Sequence, residues 1–338
     1  MIEELLNQNT QNKEEQQEER QEEQQKKQIE EILKILTSKK FVRNKEKGEL
    51  RKSLEHIVRN LVKREETVQI VLGWGYHKNP NLFEFKRLDG FFSLEWLKNM
   101  NENNWFLPDE AEIKALKKLQ QFKEQIDGIY QPGLEIIIYT TGRKAEEANN
   151  IEIRHAKQYH QELSKIAAPL GIKVITLDEI YTTFEQQNGQ NTLQEIIPMR
   201  EKIREEVRND FSNNPNSEFW TTQIQNAWRN LPPAIRDNEE VIKNSAITFV
   251  TTQRLERKLG IIKKVFSKAI FGSYNKDQLN LPPDEQVLLF WTTGEGDTTQ
   301  PWQGWWNPLQ EIIMTQGRLG KLKLELEREK EKVILLSQ

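Results

Sequence analysis

The chain has 338 residues, a formal net charge of −3, no cysteine and four histidines. Without cysteine there are no disulfides, thiolate metal sites or cysteine nucleophiles, and four histidines argue against a histidine-rich metal centre. The charge gives no basic surface for nucleic acid, and no apolar run or signal-like segment indicates a membrane or secretion, so we expect a cytoplasmic protein.

Residues 1–30 are dominated by Gln, Glu and Lys. Such residues favour helix but leave almost nothing to bury. We therefore predict an extension that is disordered or a solvated single helix. A coiled coil that recruits a protein partner or a second copy is the alternative, although no apolar heptad precedes Ile29. Residues 31–338 are predicted to form a single α/β domain.

Helical and strand patterns alternate along that domain. Apolar residues at helical spacing predict two helices between Ile29 and Val62, broken near residues 45–48. The further predicted helices are 93–100, one starting at Pro108, 153–166, 193–209, 220–230 and 238–244. The predicted strands are 67–72, 134–139, 171–177, 246–252 and 287–293. This alternation predicts a Rossmann-like, mostly parallel sheet with flanking helices, and such sheets bind ligands at the carboxyl ends of their strands.

The loop after the first predicted strand, residues 73–81, contains two glycines, a histidine and a lysine. A G-x-G after a strand can cradle a phosphate. Here the third glycine is missing and Pro80 interrupts a directly following helix. Lys78 is the candidate binder of a phosphate or carboxylate; a solvent-facing loop lysine is the alternative.

Acidic residues open the helix that starts at Pro108. Asp109 and Glu112 are three apart and share a face. Because one carboxylate raises the pKa of its neighbour, the pair could supply a general base; ordinary first-turn acidic residues look the same. After the following strand, Arg143 could clamp an anion or belong to a simple surface turn.

Two further groups of side chains are ambiguous. His155 and His160 are five apart, which is poor spacing for two metal ligands on one helix, and they are predicted to be surface histidines. Trp302 is one of three tryptophans in the loop 298–306, which could wall a pocket for an aromatic substrate or plug an edge of the core.

Over roughly residues 65–325 these segments resemble the isocyanide (isonitrile) synthase family of pyoverdine/dityrosine biosynthesis proteins. The matched segments are Lys78–Asn81 for a K-S-x-N element, Leu107–Glu112 for L-P-D-x-x-E, Ile126–Gly133 for I-x-x-I-Y-x-P-G, Leu177–Tyr181 for L-D-D-L-Y, and Gln300–Gln303 for T-P-W-H. Three polar positions depart from the family pattern. Thr141 replaces the aspartate of an S-D-G turn, Thr252 ends the segment matched to an R-L-S-I-H strand, and Gln303 replaces the histidine of P-W-H.

The resemblance implies a reaction without a cofactor or metal. The amine of an aromatic amino acid would condense with the ketone of ribulose 5-phosphate, and later eliminations would leave that carbon as an isocyanide. It further implies Lys78 and Arg143 as anion clamps with Arg254 as another anion contact. Asp109 and Glu112 would act as the base or recognise the amine, and Trp302 would wall the pocket.

Three hypotheses follow from the sequence. The first is an isocyanide synthase acting on an amino acid. The second is a catalytically diverged relative that binds a phosphorylated metabolite, which the three departures favour. The third is an interaction protein that recruits a partner through residues 1–30.

Overall fold

The computed structural model describes residues 2–44, 47–75, 107–108, 110–140, 148–149, 153–188, 192–231, 237–274, 287–292 and 301. The helices are α1 (Ile2–Leu36), α2 (Lys47–Lys63), α3 (Glu110–Asp127), α4 (Ile153–Ala167), α5 (Leu177–Asn188), α6 (Thr192–Asn213), α7 (Glu218–Asn230), α8 (Glu239–Leu259) and α9 (Ile261–Val265). None of these described helices is long and apolar enough to cross a bilayer.

Within the described residues, one sheet contains the strands β1 (Val68–Trp74), β2 (Leu134–Thr140), β3 (Ile172–Thr176), β4 (Ile270–Ser273) and β5 (Val287–Leu289). Its order is β3-β2-β1-β4-β5, and every neighbouring pair is parallel. The chain builds β1, β2 and β3 outward in one direction and then returns to place β4 on the other side of β1. The carboxyl ends of β1 and β4 therefore form the topological switch point of the sheet. The predicted Rossmann-like α/β fold is confirmed.

Both faces of the sheet are buried, as expected when crossover helices cover a parallel sheet. On one face, alternate β1 side chains such as Ile70, Leu72 and Trp74 join a core with α1, α2, α3 and α4. On the other face, Val71 and Ile137 pack with α5 and α9. A third apolar cluster joins α6, α7 and α8. The crossover helices α3 and α4 thus reach the ends of β1 and β2 on the first face.

The predicted strand at 246–252 is wrong, because these residues lie inside α8. Its β-branched residues favour a strand locally. However, Ala246, Ile247 and Val250 follow helical spacing and pack in the third cluster. The ends of α8 are also set by caps: the Asn238 side chain accepts two N–H groups, and Gly260 adopts the left-handed conformation.

The sequence patterns missed β4, which is only four residues long, and the predicted helix at 93–100 lies outside the described residues. At the N-terminus, α1 runs through residue 30 without a break, and Ile29 and Ile32 on either side of that position are both buried. The division of the chain into residues 1–30 and 31–338 stays a prediction.

The connection between α1 and α2 covers the β5 edge of the sheet. Val42 forms an antiparallel bridge with Phe290, and the Arg43 N–H donates to the Leu289 carbonyl at 2.7 Å. The Asn44 side chain donates to the Val287 carbonyl at 2.7 Å and accepts the Leu289 N–H at 2.9 Å. These bonds occupy backbone groups that an edge strand would otherwise expose.

Candidate functional site

Aromatic side chains meet at the switch point. Trp74 is the last residue of β1, and Tyr274 directly follows β4. Their rings pack edge to face, with centroids 5.5 Å apart and planes at 81°. Both side chains are buried, so the crevice expected between β1 and β4 has an aromatic base.

A buried carboxylate is tied to this position by hydrogen bonds. Glu112, near the start of α3, has no exposed surface. The Tyr159 hydroxyl on α4 donates to Glu112 Oε1 at 3.1 Å, and Trp74 Nε1 donates to the same hydroxyl at 3.0 Å. Because an unpaired buried carboxylate is very costly, such bonds are needed to keep it there. Three elements thereby position Glu112 at the end of β1.

A second polar pair lies at the end of the neighbouring strand. His160 follows Tyr159 in α4, and its Nδ1 lies 3.1 Å from Thr140 Oγ1 at the end of β2. Burial lowers the pKa of His160, and the charge of Glu179 partly opposes that shift. The imidazole is therefore neutral at pH 7. The sequence predicts a surface position for this histidine, but it is half-buried. The reason is that neighbouring residues of α4 contact two adjacent strands: Tyr159 bonds to the end of β1, and His160 lies against the end of β2.

The opposite face of the sheet carries another buried acid. Glu256 on α8 is 3% exposed, and burial raises its pKa to about 8. The pKa of Tyr139 is also raised, first by burial and then by the negative charge of Glu256. Glu256 is consequently protonated at neutral pH, unlike a surface glutamate. Since Tyr139 and Trp74 belong to opposite faces, this pair is separate from the switch point.

Of the six site residues predicted from the sequence, two are described. Glu112 lies at the switch point, and Arg254 lies on α8, where its Nη2 donates to Asp210 Oδ2 of α6 at 2.6 Å. Glu112 thus contacts α4 through Tyr159, whereas Arg254 contacts α6 through Asp210. Lys78, Asp109, Arg143 and Trp302 lie outside the described residues, and their roles stay predictions. Among the residues that are described, no group of three or more His, Asp or Glu could hold a metal ion.

Sequence reasoning missed Trp74, Tyr159 and Tyr274 as parts of the site. Trp74 stands between the glycines of the noted G-x-G, and that position could have drawn attention to it. Tyr159 has only the signal of a core residue, since it follows the apolar spacing of α4 with Ala156 and Leu163. Its role in the site depends on the hydrogen bond to Glu112, which lies 47 positions away in the sequence.

A doubly wound parallel sheet defines a Rossmann-like α/β protein, and the buried Glu112 lies near the switch point, where such folds usually bind their ligands. Residues 98–230 match the family described as pyoverdine/dityrosine biosynthesis protein. The chain is 34% identical over 110 residues to isocyanide synthase A of Aspergillus fumigatus, a match to 32% of this chain and 17% of that protein. It thus spans about a sixth of that curated relative.

The structure is similar to the crystal structure of PvcA from Pseudomonas aeruginosa, with a TM-score of 0.56 and 19% sequence identity. The similarity covers 82% of this chain and 88% of the PvcA chain. At this identity, the likeness establishes a shared fold. Residues 98–230, which are less than half of the chain, therefore resemble the pyoverdine/dityrosine biosynthesis family, and isocyanide synthase A matches over 110 residues.

Proposed function

We propose that this chain is an isocyanide synthase-like enzyme. It would convert the amino group of an aromatic amino acid to an isonitrile, with ribulose 5-phosphate as the carbon donor. The family match supports the reaction class. The observation that carries the proposal is Glu112, a fully buried carboxylate hydrogen-bonded at the switch point through Tyr159.

Glu112 fits the proton transfers that such a condensation needs. The amino-acid substrate arrives as an ammonium, and the carboxylate would remove a proton to give the nucleophilic amine. The amine nitrogen then forms a bond to the ketone carbon. Two protons leave the nitrogen, the ketone oxygen departs as water, and an imine results. Because Glu112 has no exposed surface, the amine would reach it only after the packing over the end of β1 opens, and little water would then compete for the proton.

Tyr159 would position the base. Its hydroxyl donates to Glu112 while it accepts from the Trp74 indole, which fixes the direction of the phenolic proton. A hydrogen bond to the ionised form stabilises a carboxylate. Lys78 and Arg143 as clamps, Arg254 as a further anion contact, Asp109 beside the base and Trp302 as a pocket wall remain parts of this proposal that rest on the family resemblance.

The test is product formation by Glu112→Gln and a matched control. The protein is incubated with a panel of aromatic amino acids and ribulose 5-phosphate, and isonitrile is trapped with a tetrazine. Glu112→Gln should lower the rate by roughly 10²- to 10⁴-fold, the usual contribution of a general base. Glu124→Gln, which changes an exposed carboxylate on the same helix, should retain the wild-type rate. No trapped adduct from folded wild-type protein would contradict the proposal.

The alternative of a catalytically diverged, metabolite-binding relative has lost one of its arguments. It rests on departures from the family pattern at Thr141, Thr252 and Gln303. Thr252 was matched to the end of a strand, yet it lies in the middle of α8. A missing histidine cannot be inferred at that position. Recruitment of a partner through residues 1–30 stays a prediction; removing them should abolish association and leave the fold intact.

A further inference from the structure

A guanidinium from the N-terminal part of the chain lies at the switch point. Arg43, between α1 and α2, donates from Nη2 to the carbonyl of Tyr274 at 2.5 Å. Tyr274 directly follows β4, and its ring packs against Trp74 at the end of β1. Arg43 thus contacts the end of β4, whereas Glu112 is linked through Tyr159 to the adjacent end of β1. Arg43 lies outside residues 98–230, which match the family.

The backbone that carries Arg43 is held from both sides. Val42 is bridged to Phe290, the N–H of Arg43 donates to Leu289, and the Asn44 side chain makes two hydrogen bonds with β5. Further along, the Trp291 N–H donates to the Phe41 carbonyl at 2.9 Å. The guanidinium therefore extends from a fixed segment, and little ordering is needed when a ligand binds.

The chemistry of the position suits an oxyanion. A guanidinium presents five N–H donors in a planar fork that matches the oxygens of phosphate and carboxylate. Arg43 is half-buried, and an ion pair is stronger where water is partly excluded. Arg43 contacts the residue that follows β4, and Glu112 is linked through Tyr159 to the end of the neighbouring strand β1. Such a site has one group for a substrate amine and another for a substrate anion.

We infer that Arg43 is an anion-binding residue at the switch point and holds the phosphate or carboxylate of a substrate. This inference rests on the proposed function for the identity of those substrates. It makes the α1–α2 connection part of the site as well as a cover for the sheet edge.

Binding is measured by isothermal titration calorimetry on the full chain, in wild type, Arg43→Gln and Lys39→Gln. The phosphate arm uses ribulose 5-phosphate and inorganic phosphate. The carboxylate arm uses L-tyrosine and tyramine, which lacks the carboxylate. Arg43→Gln should weaken one arm by roughly tenfold to a hundredfold, the usual effect of removing charge-assisted hydrogen bonds. Weaker phosphate binding identifies a phosphate subsite; weaker L-tyrosine binding with unchanged tyramine binding identifies a carboxylate subsite.

Lys39→Gln is the matched control, because it removes an exposed cation from the same segment, while the Lys39 carbonyl still accepts the Trp291 indole N–H. It should keep the wild-type Kd within about twofold, since an exposed charge contributes little. If Arg43→Gln does not fold, Arg43→Lys takes its place, and a severalfold weaker Kd is expected because the planar fork is lost. Wild-type Kd values in the folded Arg43 variant, equal losses in Lys39→Gln, or no binding to wild type in either arm would overturn the inference.

The outcomes separate this inference from the proposed function. If Arg43-dependent phosphate binding occurs without any trapped isonitrile, the proposed reaction fails and the anion site stands. If isonitrile forms and Arg43→Gln has the wild-type KM for both substrates, the reaction stands and the anion site fails.

Discussion

Replacing Glu256 with glutamine tests whether the buried carboxyl on α8 is protonated in the folded protein. The side chain is 3% exposed, and burial raises its pKa from 4.5 to about 8. Glutamine keeps the shape of the protonated acid and cannot ionise. The variant should therefore remove the energetic cost that the wild type incurs as the pH rises.

The direction of the pH effect on the free energy of unfolding follows from the number of protons that the folded and unfolded states bind. Between pH 4.5 and 8 the folded state holds a proton that the unfolded chain has released. The free energy of unfolding consequently falls as the pH rises through this window. Below the window both states are protonated, and above it both are ionised. At 1.36 kcal/mol per pKa unit, the full loss is roughly 3 to 5 kcal/mol.

Urea denaturation followed by circular dichroism at pH 5, 6.5 and 8.5 measures the effect. The difference in unfolding free energy, Glu256→Gln minus wild type, cancels the contributions of other titrating groups. It should grow by about 3 kcal/mol or more from pH 5 to pH 8.5. Glu240→Gln, an exposed change in the first turn of the same helix, should give a difference that stays constant within about 0.5 kcal/mol.

A constant difference for Glu256→Gln across that range would refute the reasoning. The carboxylate would then be as well stabilised inside the protein as in water, and burial would not control its titration. A difference that shrinks with pH would mean that the ionised form is preferred in the folded state.

Substitutions at four further positions test the hydrogen bonds, packing and helix capping of the fold. Tyr159→Phe removes the hydroxyl that joins an indole to a carboxylate and should cost about 1 to 3 kcal/mol by urea denaturation; a wild-type midpoint would mean that this buried chain of bonds is not formed. Gly272→Ala should destabilise by about 1 to 3 kcal/mol, because the new Cβ would lie 2.8 Å from Phe290. Gly48→Ala, where nothing lies within 4 Å, should instead gain up to about 1 kcal/mol, and equal effects at the two glycines would contradict the packing. Asn238→Ala should lower the unfolding free energy by about 1 kcal/mol because two backbone N–H groups lose their acceptor, whereas Asn238→Asp should restore it.

Much of the fold could be predicted because the signals for it are local. The predicted strands 67–72, 134–139 and 171–177 correspond to β1, β2 and β3, since each is a short run rich in β-branched and other apolar residues with a turn at its boundary. The helices over 153–166 and 193–209 followed from apolar spacing in the same way. For residues 246–252 local propensity favoured the wrong structure, because contacts with α6 and α7 decide that segment.

The site could be predicted only in part. Glu112 was a candidate from its place near the start of a helix after a proline, but any first-turn glutamate has the same signal. Its burial and its bond to Tyr159 depend on how α3 and α4 pack over the sheet. Arg43 gave no sequence signal, because it approaches Tyr274 across 231 positions of chain.

The sequence by itself determined the alternation of helices and strands and the expectation of a ligand site at strand ends, since hydrophobic periodicity is read over a few residues. Only the tertiary structure decided which strand ends meet. The sheet places β4 beside β1, and strand order depends on packing between distant segments. That one pairing brings Trp74 to Tyr274 and gathers Glu112 and Arg43 around the switch point.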